Sequence, residues 1–275
     1  YAIELGLVGS EMCIRDRIMG VLQRIALAYG IAAIMVIHLD LKKIFISALG
    51  ILIAYWGILW IGGGEDPYSL EHNLIRKIDI FLLGENHLYG GTGIQFDPEG
   101  LLSTIPSVVT VLIGYLVGSM LHTTKDFLDN VKRMSTFGIS LIIVGIIWGL
   151  LFPINKQLWT SSYVLFTGGI ATLILSSLCF MIDIKKWKKP LWVFQIFGTN
   201  SIFLFVLSGL WTKIILRLRF DLEGQSISGY GYLYKTLFVP IGGDMFGSFL
   251  FAFAHLVGFW LILLWLYRKN IFINL

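Results

Sequence analysis

Apolar residues dominate this chain in runs of about twenty, the length an α-helix needs to cross the roughly 30 Å hydrocarbon layer of a bilayer. Such runs cover residues 18–38, 44–62, 101–121, 135–152, 160–182, 191–215 and 245–267. The pattern predicts an all-α, polytopic transmembrane helix bundle of about seven spans. Gly114 and Gly118 are spaced one turn apart in the third run and predict close helix approach there. The loop of residues 63–100 is too long for a simple connector. Its segment from Leu70 to Leu83 is amphipathic and is expected to lie along the membrane interface.

Charge then orients the pattern. Taking alternate loops, one face collects Lys42, Lys43, Lys125, Lys132, Arg133, Lys185, Lys186, Lys188, Lys189, Arg268 and Lys269, eleven in all. The other face collects seven, spread over longer loops. By the positive-inside rule the eleven mark the cytoplasm and place the C-terminus there, so loops 63–100, 153–159 and 216–244 face outward. The overall +4 charge therefore reports topology, and nucleic acid is not expected as a partner.

Composition leads to the same solvent. With 56% hydrophobic and 14% charged residues and a mean hydropathy of +0.80, the chain carries more apolar surface than a water-soluble core can hide. The expected surroundings are a lipid bilayer, with a bacterial inner membrane as the location. Two cysteines, Cys13 and Cys179, supply neither a disulfide framework nor a cysteine metal site, and no metal is expected. The sequence leaves the oligomeric state open, a homo-oligomer included.

One segment is expected not to belong to the fold. Glu11-Met12-Cys13-Ile14-Arg15-Asp16-Arg17 back-translates to GAG-ATG-TGT-ATA-AGA-GAC-AGR, which looks like a transposase-end sequencing adapter. Residues 1–17 are accordingly set aside, and residues 18–275 are read as a single transmembrane domain that is incomplete at its N-terminus.

The polar residues cluster on the outward side. Asp97 and Glu99 immediately precede the third span, where a helix N-terminus favours negative charge, and Pro98 suits a helix start. They read as helix caps or as site carboxylates. His87 reads as an acid or base near neutral pH or as a hydrogen-bonded loop residue. Arg24 lies within a span, where a guanidinium costs several kcal/mol unless something receives it. It is expected to face the interior, either paired with an acidic residue or clamping a phosphate or carboxylate. Asn155, Lys156 and Asn200 are candidate hydrogen-bond donors to a ligand, and Trp159 a stacking surface or an interfacial belt residue. The sequence contains no HExxH, P-loop or serine-elbow motif.

Five blocks together resemble the heparan-alpha-glucosaminide N-acetyltransferase family and its bacterial relatives. They are Gly20-Val21-Leu22-Gln23-Arg24, His87-Leu88-Tyr89, Asp97-Pro98-Glu99-Gly100-Leu101-Leu102-Ser103-Thr104-Ile105, Asn155-Lys156-Gln157-Leu158-Trp159-Thr160-Ser161-Ser162-Tyr163-Val164 and Asn200-Ser201-Ile202. The resemblance runs from Ile18 to nearly the C-terminus. It implies a transmembrane transfer of an acetyl group from cytosolic acetyl-CoA to an amino sugar on the far side. It also implies a central histidine on an early helix that would lie upstream of Ile18, so that this fragment is expected to be inactive. Asp97, Glu99 and His87 are then supporting catalytic candidates, and Arg24, Asn155, Lys156, Trp159 and Asn200 substrate or cofactor contacts. The rival class is a transporter or flippase for a small polar or lipid-linked substrate, which would show broken helices; the largely continuous runs here favour the enzyme. A structural membrane module is the third reading.

Overall fold

The computed structural model describes residues 17–64, 66–90, 93–121, 124–187, 191–222 and 224–273. Most of the adapter-like segment, together with His122, Lys188 and Lys189, lies outside the described residues. Six described helices are long and apolar enough to cross a membrane, or seven if one bent pair counts as a span. The chain is an integral membrane protein of polytopic helical architecture. It divides into two compact units, residues 1–186 and 187–275.

The first unit contains α1 (Val21–His38), α2 (Leu41–Gly62), the short α3 (Leu74–Leu83), α4 (Leu101–Met120), α5 (Phe127–Gly149) and α6 (Ser161–Cys179), which runs on into a wider π turn at Phe180–Ile184. α4 is the central helix: more than half of its apolar window is buried, against a third or less for the other spans. Ala28 and Ala32 of α1, Ile44 and Leu52 of α2, Leu112 of α4, Met134 of α5 and Val164 of α6 form one apolar cluster around it. Without a water-driven hydrophobic effect inside the bilayer, such packing rests on van der Waals fit.

α5 begins well before residue 135, where the hydropathy pattern placed the span. The Asp126 carboxylate accepts the Leu128 N–H at 2.9 Å, and Asp129 pairs with Arg133 at 3.6 Å, so a charged first stretch is helical as well. The close-approach glycines also differ from expectation. A Cβ on Gly114 or Gly118 would meet nothing within 4 Å. The tight contact lies instead between α5 and α6, where a Cβ on Gly169 would stand 2.6 Å from the Gly138 carbonyl oxygen, and one on Gly145 2.8 Å from the Phe166 nitrogen.

The second unit contains α7 (Trp192–Thr199), α8 (Ser201–Arg217), a two-stranded antiparallel hairpin of β1 (Arg219–Leu222) and β2 (Gln225–Ser228), α9 (Gly229–Leu233) with a π turn at Tyr234–Phe238, and α10 (Val239–Arg268). The run of residues 191–215 is not one continuous helix: α7 and α8 meet at 76° around Asn200, whose backbone leaves the helical region. The side chain of Asn200 explains the break. Its amide nitrogen donates to the Ile271 carbonyl at 3.1 Å and its oxygen accepts the Ile273 N–H at 2.8 Å, so this buried amide binds the C-terminal tail. α10 is interrupted at Gly242–Gly243, and the φ of +66° at Gly243 is one that glycine adopts readily.

Candidate functional site

The site of the first unit is built where α1, α3 and the start of α4 come together. α4 needs an N-terminal cap, since its first N–H groups have no partner within the helix. Its own N-cap residue, Gly100, has no side chain, and the cap comes from α3: the Asp79 carboxylate accepts the Leu101 N–H at 3.0 Å. This contact fixes the identity of residue 100, because a Cβ there would stand 1.8 Å from Asp79 Oδ2. Asp79 is fully buried, and its Oδ2 has no hydrogen-bond partner among the described residues. Burial, with the nearby Asp97 charge adding to it, pushes its pKa up to about 6, against the pull of the Leu101 and Leu102 N–H groups.

That shift has a definite sign. The folded protein holds the Asp79 proton up to about pH 6, whereas the unfolded chain releases it near its ordinary value of 3.8. Stability from this group is therefore full below that value and lost as pH rises to about 6. The expected outcome is that Asp79→Asn removes this component: the difference in melting temperature between wild type and variant should change across that window and be flat above pH 7. A difference that is constant throughout would contradict the burial account.

The loop leading into α4 carries a second, larger charge cluster. Arg17 donates from Nε to Asp97 Oδ2 at 2.8 Å and from Nη2 to Asp97 Oδ1 at 2.5 Å, and Nη2 also bonds Glu99 Oε2. Its guanidinium lies 4.9 Å from the centre of the Tyr89 ring. The hydrogen bond to Asp97, chiefly, and then Glu99 hold the Arg17 guanidinium above its already high ordinary value, against the opposing effect of burial. Asp97 is fully buried and also accepts the Glu99 N–H at 2.9 Å, which turns the chain into the helix. Arg17 belongs to the segment set aside on sequence grounds, yet it is the partner of both carboxylates.

Arg24 is buried, as its place within a span requires, and it faces the protein interior. Its partners within the chain are backbone groups and an aromatic ring. Its Nη1 donates to the Pro98 carbonyl at 3.0 Å and its Nη2 to the Ser103 carbonyl at 2.6 Å, while the guanidinium lies 4.0 Å from the Trp159 ring centre. Two backbone acceptors and an indole face thus receive the cation, a combination suited to planar arginine. Arg24 Nε has no partner among the described residues. A cavity of about 280 Å³ adjoins it, with Glu99, Ser107, Thr110 and Trp159 in its walls.

Trp159 is placed by a tightly bonded turn. The Asn155 oxygen accepts the N–H groups of Gln157 and Leu158, and Thr160 Oγ1 donates to the Pro153 carbonyl at 2.9 Å and accepts the Asn155 N–H at 3.0 Å. Trp159 has φ +50°, a left-handed conformation that costs a bulky residue about 1–3 kcal/mol. Its Nε1 donates to Thr110 Oγ1 at 3.3 Å.

The structure therefore brings Arg24, Asp97, Glu99 and Trp159 together. The side-chain oxygen of Asn155 serves the turn, Lys156 is exposed beside it, and Asn200 lies in the second unit. His87 ends a short 3₁₀ turn, and its backbone carbonyl accepts the Ile18 N–H at 3.3 Å, close to the Arg17 cluster. Among the described residues, no group of three or more His, Cys, Asp or Glu side chains is arranged to hold a metal ion. Asp79, Ser103 and Thr110 were not singled out in the sequence. Asp79 alone had a signal: it sits four residues after Ile75, on the apolar face of an amphipathic stretch.

No family profile matches the chain. Among curated proteins it is similar to the heparan-alpha-glucosaminide N-acetyltransferase of Mus musculus, 35% identical over 171 residues, which is 54% of this chain and 26% of that protein. It is also similar to the Homo sapiens protein of the same name, 33% identical over 146 residues, 47% of this chain and 22% of that one. The chain thus spans about a quarter of the length of the curated relatives it matches. The similarity and the transmembrane helical architecture agree: over about half of its length this membrane chain is similar to two heparan-alpha-glucosaminide N-acetyltransferases.

Proposed function

We propose that the whole protein is a membrane N-acetyltransferase that moves an acetyl group from acetyl-CoA to an amino sugar on the extracytoplasmic side. The observation that carries this reading is the meeting of Glu99, tied to Asp97 through Arg17, with the Arg24–Trp159 pair around one cavity, in a chain similar to two heparan-alpha-glucosaminide N-acetyltransferases. Acetyl transfer to an amine needs a group to take the amine proton, donors for the oxyanion that develops on the carbonyl oxygen, and a surface that orients the sugar.

The residues divide these tasks by their chemistry. Glu99, in the cavity wall, accepts hydrogen bonds from the amino or hydroxyl groups of the sugar. Asp97 orients Glu99 through Arg17 and the shared turn. Arg24 Nε, unpartnered and beside the cavity, is a donor for a carbonyl oxygen. The indole of Trp159 offers an apolar face. The cavity accommodates the acetyl and amine ends of the two substrates, with the bulk of acetyl-CoA outside it. His87 remains a supporting candidate near the Arg17 cluster. The distribution of basic residues supports a cytoplasmic C-terminus, with a bacterial inner membrane as the proposed location.

The test is vectorial transfer by the full-length protein in sealed proteoliposomes. With labelled acetyl-CoA on one side and glucosamine on the other, N-acetylglucosamine should accumulate on the glucosamine side. A transporter or flippase reading draws on the break at Asn200 and the interruption at Gly242–Gly243, both of the broken-helix kind found in transporters. It would be favoured if unmodified sugar crossed the bilayer without any acetyl donor.

A further inference from the structure

The cavity beside Arg24 has a neighbour. A second cavity, of about 380 Å³, lies between α4 and α6, and the two share Thr110 and Trp159 as wall residues. Between those two residues runs the 3.3 Å hydrogen bond from the indole to the threonine hydroxyl. We propose that the Trp159 indole is a movable wall between the two cavities, so that the ligand path of the Arg24 site continues past it along α4 and α6.

Three observations support a wall that moves. The ring's polar and aromatic contacts are soft, one long hydrogen bond, the Arg24 cation at 4.0 Å and an edge contact to Tyr163 at 5.1 Å between ring centres, and the rest of its support is non-directional apolar packing against the core. Its backbone is rigidly pinned, with the Leu158 carbonyl accepting the Tyr55 hydroxyl at 2.5 Å, so side-chain rotation can swing the indole without moving the turn. The left-handed backbone at Trp159 stores strain, a feature that concentrates where function demands a particular placement.

The second cavity specifies what would pass. Its walls include Gly114 and Gly168, the hydroxyls of Thr167 and Thr172, and no charged residue. The Thr167 and Thr172 hydroxyls donate to the Tyr163 and Gly168 carbonyls, both at 2.7 Å, leaving oxygen lone pairs as acceptors. An uncharged, slender chain that donates hydrogen bonds fits such a lining. On α6 the wall runs from Tyr163 to Leu175, which at 1.5 Å per residue is about 18 Å, more than half of a hydrocarbon core. The identity of the occupant as the acyl-bearing arm of the donor rests on the acetyltransferase reading; the movable wall does not.

Thiol labelling tests the wall independently of catalysis. In a cysteine-free full-length background, Thr172→Cys, at a buried lining position, reports the second cavity and Ser107→Cys the first, with a charged, membrane-impermeant methanethiosulfonate as the probe. If the closed wall opens to a minor state, Trp159→Ala should speed labelling at position 172 by between about tenfold and a thousandfold, with position 107 unchanged. Thr110→Val, which keeps the ring and removes its hydrogen bond, should speed it about fivefold. Gly114→Leu fills the open space beside residue 114 and should abolish labelling at 172 even with Trp159→Ala. Equal labelling at 172 with and without the indole overturns the proposal, as does parallel acceleration at 172 and 107, which would mean a loosened bundle. If the labelling follows expectation while no acetyl transfer is found, the wall stands and the enzyme reading falls.

Discussion

Asp97→Ala is expected to cost about 3 kcal/mol of folding stability, the lower end for breaking a buried ion pair because Arg17 is partly exposed. Asp97 is fully buried, and it holds Arg17 through both carboxylate oxygens while accepting the Glu99 N–H. Its removal strands the guanidinium on Glu99 and releases the turn that opens α4. The loss should be partly recovered in the double variant Arg17→Met with Asp97→Ala, since the guanidinium no longer lacks its main partner, while the released turn and the unpaired Glu99 remain. Thermal unfolding of purified protein in detergent gives the cycle, and a double variant as unstable as the sum of the singles would show that Asp97 acts on the turn alone.

Gly169→Ala is the second large effect, and its mechanism is purely steric. The added methyl would lie 2.6 Å from the Gly138 carbonyl oxygen and 2.9 Å from the Ile142 nitrogen, both main-chain atoms of a helix that cannot give way locally. α5 and α6 must separate, with an overpacking cost of about 1–3 kcal/mol. Gly118→Ala is the control, because its methyl would meet nothing within 4 Å, and alanine favours a helix over glycine. The two variants should move the melting temperature in opposite directions; equal shifts would mean that the α5–α6 contact is looser than the geometry requires.

These contrasts show what hydropathy can and cannot reveal. Most spans were legible because twenty apolar residues have few other uses, though the charged start of α5 and the break at Asn200 were not, and Arg24 stood out because a cation in hydrocarbon must find a partner. The nature of that partner was hidden: two carbonyl groups and an indole leave no charge signature, and Pro98, Ser103 and Trp159 are remote in sequence. Gly114 and Gly169 look alike in a hydrophobic run, yet one adjoins a cavity and the other a neighbouring backbone. The bonds of Asn200 to the C-terminal tail were equally hidden, because the Ile271 carbonyl and the Ile273 N–H are main-chain groups that any residue supplies. Asp79 looks in sequence like one charge of an amphipathic helix, and nothing there links it to Gly100, where a Cβ would stand 1.8 Å from its carboxylate.

The central claim is that Glu99, set between Arg17 and the cavity of Arg24 and Trp159, handles the amino-sugar end of an acetyl transfer. The most direct measurement is kcat/KM for N-acetylation of glucosamine by full-length wild type and Glu99→Gln, at matched folding judged by thermal unfolding. Loss of one charged hydrogen-bond acceptor should lower kcat/KM about ten- to a hundredfold. Unchanged kcat/KM in a folded Glu99→Gln protein would contradict the assignment and place the amino-sugar site elsewhere in the molecule.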